Sequence, residues 1–248
     1  MEHQEQAAED TQVHFNETYG PQNHESNFVI EGTLGSGGMG TVYDAYDRNL
    51  RRKVAIKSIS PEKANDSLTR KYFTKEAQIT GQLEHPNIIP VYEMGLNPEK
   101  ELYYVMKRIR GITLAKIIHE LRVGRRKYIK RFTLGKLLAI FQKVCDAISF
   151  AHSRGVLHLD IKPENIMVGE FGEVLILDWG IARLRTRSKN IKSEIFVTLD
   201  EEVNFDGEFE SQKVIGTPAY MAPEQATGQA KFVGTRTDVY ALGAVLYT

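Results

Sequence analysis

Residues 158–165 read His-Leu-Asp-Ile-Lys-Pro-Glu-Asn, and Asp-Trp-Gly follows at residues 178–180. Between them lie two runs with strand character, Ile166–Val168 and Glu173–Leu177, joined by a turn at residues 169–172 that begins and ends with glycine. This spacing predicts a β-hairpin. Because antiparallel pairing aligns the start of one strand with the end of the other, the asparagine before the first strand and the aspartate after the second should meet at one end.

The polar residues of this hairpin, and of the loop before it, suit phosphate chemistry. The Asn165 amide and the Asp178 carboxylate, completed by phosphate oxygens and water, are ligands that Mg²⁺ accepts. Asp160 would then lie near a transferred phosphoryl group and accept a hydroxyl proton, while Lys162 would neutralise the charge that develops there. Each of these residues alone is more often an ordinary polar loop residue. Together, at these spacings, they indicate a catalytic site.

A glycine-rich segment precedes this region and reads Gly35-Ser36-Gly37-Gly38-Met39-Gly40-Thr41-Val42. Glycine lets backbone N–H groups approach a polyphosphate because no Cβ stands in the way. The same spacing occurs in ordinary turns and in dinucleotide-binding folds, where it opens a helix after a parallel strand. Here strand-like residues follow the glycines. We therefore expect a hairpin turn that covers phosphates as a flap.

Lys57 lies in the run Val54-Ala55-Ile56-Lys57, where alternate residues face opposite sides of a strand. A lysine at a sheet edge usually faces solvent. Glu76 favours a different outcome, because it lies on or beside the apolar stripe of a helix predicted between Asp66 and Leu83. A carboxylate there is costly unless it is paired. We therefore predict an inward-facing Lys57–Glu76 pair that holds the α- and β-phosphates of a nucleotide.

Strands precede helices along the chain. The predicted strands are Phe28–Thr33, Thr41–Asp47, Lys53–Ile59, Ile88–Met94 and Leu102–Arg108. The clearest helix is Thr133–Arg154, with an apolar stripe of Leu134, Leu137, Leu138, Phe141, Cys145 and Ile148. This order predicts an α+β fold of two lobes. Residues 28–106 would form a small, mostly antiparallel sheet with one main helix, and residues 107–248 a larger, mainly helical lobe.

Charge and composition exclude several classes of protein. Lys plus Arg and Asp plus Glu number 32 each, so the net charge of zero gives no general attraction to nucleic acid or to an anionic membrane. The single cysteine excludes an internal disulfide framework. No apolar run reaches the roughly 18 residues of a membrane-spanning helix, and we expect a cytoplasmic protein without a nucleic-acid partner.

Three segments differ in charge from the rest of the chain. Residues 1–27 carry six acidic and no basic side chains, with almost no apolar periodicity, and predict a disordered acidic tail. Arg122–Arg131 holds six Lys or Arg residues, and Glu194–Glu210 holds seven acidic residues. Runs of like charge are usually solvated, so both are predicted to be loops.

These motifs resemble those of the eukaryotic-like protein kinases, in their serine/threonine branch. The resemblance runs from about Phe28 to the last residue and includes Gly216-Thr217-Pro218, Ala222-Pro223-Glu224 and Asp238–Gly243. It implies a two-lobed fold that binds ATP and Mg²⁺. The implied activity is transfer of the ATP γ-phosphoryl group to a serine or threonine hydroxyl of a protein substrate.

The resemblance also implies roles for individual residues. Asp160 would be the catalytic base, Lys162 would contact the γ-phosphate, and Asn165 and Asp178 would bind Mg²⁺. Lys162 together with Thr217 resembles the serine/threonine pattern, which places Thr217 in the catalytic set. Met106 would be the gatekeeper, Lys107–Ile109 the hinge and Met167 the floor under the adenine. The residues implied to bind the nucleotide are Leu34, Gly35, Ser36, Gly37, Gly38, Met39, Gly40, Thr41, Val42, Ala55, Lys57, Glu76, Met106, Ile109 and Met167.

Several features depart from the usual pattern of the family. Leu159 replaces an arginine that normally binds a phosphate on the activation segment, so we expect activity without that phosphate. Trp179 stands where phenylalanine is usual, which resembles bacterial members of the family, although it can equally serve as a bulkier core contact for His158. The activation segment, residues 178–224, is longer than usual.

The chain stops at Thr248, inside what resembles the central helix of the larger lobe. From the resemblance we expect that lobe to be incomplete in this sequence. This expectation keeps a second function open beside the kinase. The alternative is a nucleotide-binding pseudokinase or scaffold module that is inactive through truncation.

Overall fold

The structure is a computed structural model that describes residues 27–184, 197, 199 and 216–248. The predicted acidic tail, apart from Asn27, and most of the run Glu194–Glu210 lie outside the described residues. The described chain forms a strand-rich lobe followed by a helix-rich lobe. The predicted α+β class is therefore confirmed.

The first lobe is built on a five-stranded antiparallel sheet with the order β1-β2-β3-β5-β4. Its strands are β1 (Phe28–Ser36), β2 (Gly40–Asp47), β3 (Arg52–Ile59), β4 (Val91–Leu96) and β5 (Leu102–Lys107). The predicted strand Ile88–Met94 begins too early, because Pro90 has no N–H to donate to a strand ladder. Ile88 forms only an isolated bridge to Ile176.

Helix α1 (Ser67–Gln82) packs against one face of this sheet. The Asp66 carboxylate caps its first turn by accepting a hydrogen bond from the Thr69 N–H. Phe73 of α1 and Tyr104 of β5 belong to one apolar cluster, whereas Tyr103 belongs to a cluster on the other face. The alternation of side chains along β5 therefore places Tyr104 on the same side as α1.

The second lobe contains helices and two small sheets. Its helices are α2 (Leu114–Arg122), α3 (Arg126–Arg131), α4 (Leu134–Ser153), α5 (Pro223–Ala226) and α6 (Thr235–Tyr247). Strands β6 (Gly111–Thr113), β8 (Ile166–Gly169) and β9 (Val174–Ile176) form one sheet, and β7 (Val156–Leu157) pairs with β10 (Arg183–Leu184). One hydrophobic core joins α2, α4, β9 and α6.

Of two predictions about helices in this lobe, one is wrong and the other is only partly right. Arg122–Arg131, predicted as a loop, includes the end of α2 and all of α3, although its basic side chains are exposed. In the stripe predicted for α4, Leu134 and Leu138 are 72% and 48% exposed, but the other four members lie in or against the core: Leu137, Phe141, Cys145 and Ile148. The fully buried residues of this helix are Ile140, Val144, Ala147, Ile148 and Ala151. The buried face lies roughly a quarter turn round the helix from the predicted stripe, because the apolar surface of α4 is wider than the part that meets the core.

Candidate active site

The predicted hairpin brings Asn165 and Asp178 together. Strands β8 and β9 pair antiparallel with Ile166 opposite Ile176. The Leu177 N–H donates to the Asn165 carbonyl at 2.8 Å, which extends the pairing by one bond towards Asp178. Both side chains line the same cleft. The predicted approach of an amide and a carboxylate is therefore observed.

Asp160 lies at the centre of a hydrogen-bonded network. Its Oδ2 atom is 2.6 Å from Lys162 Nζ, and its Oδ1 atom accepts a hydrogen bond from the Thr217 hydroxyl at 2.8 Å. Lys162 Nζ also donates to Thr217 Oγ1 at 2.8 Å. The Asn165 side-chain amide donates to the Asp160 carbonyl at 2.9 Å, which leaves the amide oxygen available as a ligand. The structure therefore joins every residue predicted for catalysis.

The loop that carries Asp160 is anchored by Asp238 of α6, which is 0% exposed. The Asp238 carboxylate accepts hydrogen bonds from the His158 N–H at 2.9 Å and the Leu159 N–H at 2.8 Å. It also lies 2.7 Å from His152 Nε2. These bonds help to hold Leu159 at φ 67°, a left-handed conformation that costs a non-glycine residue of order 1–3 kcal/mol.

Gln225 connects the same loop to the residues just before α5. This buried side chain donates from Nε2 to the Leu159 carbonyl at 2.9 Å and accepts at Oε1 from the Ala222 N–H at 3.3 Å. Gln225 is not among the residues predicted from the sequence, because a single glutamine carries no pattern. Leu159 itself is buried and apolar, so its side chain has no group that could bind a phosphate.

The predicted Lys57–Glu76 pair is present. Lys57 Nζ lies 2.6 Å and 2.8 Å from the two carboxylate oxygens of Glu76. Glu76 is 2% exposed, so the carboxylate is almost completely removed from water. The pair joins β3 to α1 and faces the cleft.

A cleft of about 510 Å³ lies between the two lobes. Its walls include the glycine-rich segment, the Lys57–Glu76 pair, Met106, Ile109 and Met167. The predicted nucleotide-binding residues all line it except Thr41. Strand alternation turns Gly40 and Val42 towards the cleft and Thr41 away from it. Lys107 of the predicted hinge lines it as well, and four lining residues are absent from the sequence prediction: Thr80, Ile89, Tyr104 and Leu177.

The glycines of the glycine-rich turn differ in whether the surrounding structure leaves room for a side chain. A Cβ on Gly40 would collide with the Ser58 carbonyl, so glycine is required for β2 to approach β3 closely at this point. A Cβ on Gly35 or Gly38 would meet no described atom within 4 Å. The Gly37 N–H donates to the Gly40 carbonyl at 2.9 Å and closes the turn. The segment is therefore the predicted hairpin, with open space beside its tip.

Trp179 packs on His158, with 4.5 Å between the ring centroids, and is 1% exposed. The interpretation of Trp179 as a core contact for His158 is therefore confirmed. Complete burial lowers the pKa of His158 below its usual value of 6.5. Its Nδ1 atom accepts a hydrogen bond from the Asp160 N–H at 3.2 Å, which requires that ring nitrogen to carry no proton.

The oxygen ligands of the cleft fit a divalent metal that is bound largely through phosphates. Within residues 27–184, 197, 199 and 216–248, no group of three or more His, Cys, Asp or Glu side chains could hold a metal ion. Asn165 and Asp178 supply an amide and a carboxylate, which are hard oxygen ligands. A metal there would need phosphate oxygens and water to complete its coordination.

The two-lobed fold, with its cleft between the lobes, is that of a protein kinase domain. The family model of the protein kinase domain matches residues 28–248, and the chain belongs to this family. Three curated relatives are each described as serine/threonine-protein kinase PknD. The relative from Protochlamydia amoebophila is 39% identical over 94% of this chain and 24% of its own length. Those from Chlamydia felis and Chlamydia abortus are 39% and 40% identical, each over 86% of this chain and 23% of the relative.

The chain thus spans about a quarter of the length of these curated relatives. None of the helices in the described part of the chain is long and apolar enough to cross a membrane.

Proposed function

We propose that this chain is the catalytic domain of a serine/threonine protein kinase that transfers the γ-phosphoryl group of ATP to a protein hydroxyl, with Mg²⁺ as the metal. The observation that carries the proposal is the hydrogen-bonded network around Asp160. Asn165 belongs to this network and also lines the cleft. The same cleft is lined by Asp178 and by the Lys57–Glu76 pair. Family membership and the names of the relatives support the same activity.

Asp160 is proposed to act on the acceptor hydroxyl. The hydroxyl oxygen forms a bond to the γ-phosphorus, and the bond from that phosphorus to the β,γ-bridging oxygen breaks, so that ADP leaves. The hydroxyl proton passes to the Asp160 carboxylate. Lys162, 2.6 Å from this carboxylate, supplies the positive charge that stabilises the transferred group.

The remaining residues bind and orient the nucleotide. Lys57, held by Glu76, is placed to contact the α- and β-phosphates beneath the glycine-rich turn. Met106, Ile109 and Met167 provide an apolar surface for the adenine. Asn165 and Asp178 would hold Mg²⁺, which neutralises phosphate charge when it is bound.

Thr217 supports the choice of serine or threonine as the acceptor. Its hydroxyl donates a hydrogen bond to Asp160 and accepts one from Lys162, so the same lysine contacts both the Asp160 carboxylate and a threonine of the predicted activation segment. The lobe boundaries at 28–106 and 107–248, the activation segment 178–224, the acidic tail 1–27, the cytoplasmic location and the absence of a nucleic-acid partner remain predictions.

The test uses ATP labelled either at the γ- or at the α-phosphate, with a protein substrate rich in serine and threonine such as casein. We expect the protein substrate to become labelled only by ATP that carries the label at the γ-phosphate, and only when a divalent metal is present. The label should be recovered as phosphoserine or phosphothreonine. The Asp160→Asn variant is the control for a contaminating kinase. Nucleotide binding without any transfer would contradict the proposal and favour the pseudokinase or scaffold alternative.

A further inference from the structure

Tyr104 occupies the face of β5 that meets α1, and it is buried at 4% exposure. The neighbouring Tyr103 lies on the opposite face of the sheet, where it packs in a different apolar cluster. Two tyrosines next to each other in the sequence therefore have different surroundings. Only Tyr104 lines the cleft.

The Tyr104 hydroxyl donates a hydrogen bond to Glu76 Oε1 at 2.7 Å. The same oxygen lies 2.6 Å from Lys57 Nζ. The Tyr104 ring also packs on Phe73 of α1, with 5.2 Å between the ring centroids. Tyr104 therefore contacts α1 twice, through its ring and through the carboxylate that pairs with Lys57.

A carboxylate that is 2% exposed has lost most of its hydration, and each hydrogen bond to it replaces part of that loss. The Lys57 ammonium group donates a charged hydrogen bond to this carboxylate, and the Tyr104 hydroxyl donates a neutral one. Burial and the negative charge of Glu76 raise the pKa of Tyr104 well above its usual value of 10. The phenol therefore keeps its proton, and the hydrogen bond, over the whole working pH range.

We propose that Tyr104 is a positioning residue for phosphoryl transfer, whose hydroxyl holds Glu76 against Lys57 and keeps α1 docked on the sheet before a nucleotide binds. The proposal rests on the proposed kinase function for its catalytic consequence. Its structural consequence, the docking of α1, is independent of activity. Tyr104 acts through Glu76 and does not itself touch the reacting atoms.

The first measurement is amide hydrogen exchange in α1, without nucleotide, for wild type, Tyr104→Phe and the matched control Tyr103→Phe. The Tyr104→Phe change keeps the ring contact with Phe73 and removes only the hydroxyl. A hydrogen bond to a charged group corresponds to about a 10- to 100-fold change in an opening equilibrium. We expect exchange in residues 67–82 to accelerate by that order in Tyr104→Phe and to stay at the wild-type rate in Tyr103→Phe.

The second measurement is a double-mutant cycle on kcat/KM for ATP. We expect Tyr104→Phe to lower kcat/KM about tenfold, because one of the two donors that hold Glu76 is lost. In a Glu76→Ala background, the same change should have no further effect, since the carboxylate through which Tyr104 acts is absent. A tyrosine that served only to fill the core would cost activity equally in both backgrounds.

The outcomes separate this inference from the proposed function. If the wild type transfers no phosphate, the kinase proposal fails, and the exchange measurement still decides the role of Tyr104. If the wild type is active but Tyr104→Phe exchanges in α1 like Tyr103→Phe, the positioning role is overturned. Equal losses of kcat/KM with and without Glu76 would overturn it as well.

Discussion

Replacing Asp238 with asparagine tests how the catalytic loop is held. The Asp238 carboxylate serves three donors, namely the His158 and Leu159 N–H groups and His152 Nε2. Asparagine retains a single acceptor oxygen, and its NH₂ group cannot accept a hydrogen bond. At least one buried donor is therefore left without a partner in Asp238→Asn.

The expected cost follows from those contacts. Losing one hydrogen bond to a charged group costs about 1.5–3 kcal/mol, and leaving a buried N–H unpaired costs about 1–3 kcal/mol. We expect the free energy of unfolding to fall by about 3–5 kcal/mol, a large part of the roughly 5–15 kcal/mol available to a domain. With a urea slope of about 2 kcal/mol per molar, the midpoint shifts by about 1.5–2.5 M.

Urea unfolding of wild type, Asp238→Asn and the exposed-site control Asp146→Asn measures this effect. Asp146→Asn should lie within about 0.5 kcal/mol of wild type. At a temperature where Asp238→Asn remains folded, kcat should fall more than tenfold, because Leu159 is then free to leave its left-handed conformation. A loss below about 1 kcal/mol with unchanged kcat would refute the role given to Asp238.

Three further outcomes are expected. Asp178→Asn should weaken metal-dependent nucleotide binding, followed by the fluorescence of Trp179, the single tryptophan; unchanged affinity contradicts the ligand role. Phosphatase treatment should leave activity intact, because Leu159 cannot bind a phosphate; loss of most activity would show that another basic group does so. Burial lowers the pKa of His158, so the unfolded chain binds an extra proton below about pH 6.5. The free energy of unfolding should therefore fall by up to about 1.4 kcal/mol per pH unit below that point. If a His158→Phe variant showed the same dependence of the unfolding free energy on pH as the wild type, His158 would be excluded as its cause.

Sequence patterns predict best those residues whose neighbours are set by strand pairing or by the need to pair a buried charge. Asn165 and Asp178 flank a hairpin, so strand pairing alone brings them into one cleft. Lys57 and Glu76 are distant in sequence, but a carboxylate on an apolar helix face requires a partner, and that requirement predicts the pair. In both cases an elementary physical rule leaves few alternatives.

The contacts that were not predicted depend on tertiary packing. Gln225 and Asp238 act through bonds to the backbone around Leu159, and no local pattern indicates which backbone groups a side chain will reach. Tyr104 could be inferred from strand alternation, because it shares a face of β5 with Met106. The exposed end of the stripe predicted for α4 has a related cause, since Leu134 is apolar but lies on the side of the helix away from the described core.

In the proposed reaction, Asp160 accepts the proton of a serine or threonine hydroxyl during transfer from ATP. Single-turnover phosphorylation by rapid quench, at saturating nucleotide and metal, compares wild type with Asp160→Asn. A positioned general base contributes about 10²–10⁴ in rate. We predict a decrease of that size in the rate of phosphoserine or phosphothreonine formation, with nucleotide affinity within a few-fold of wild type. Equal transfer rates for the two proteins would contradict the claim.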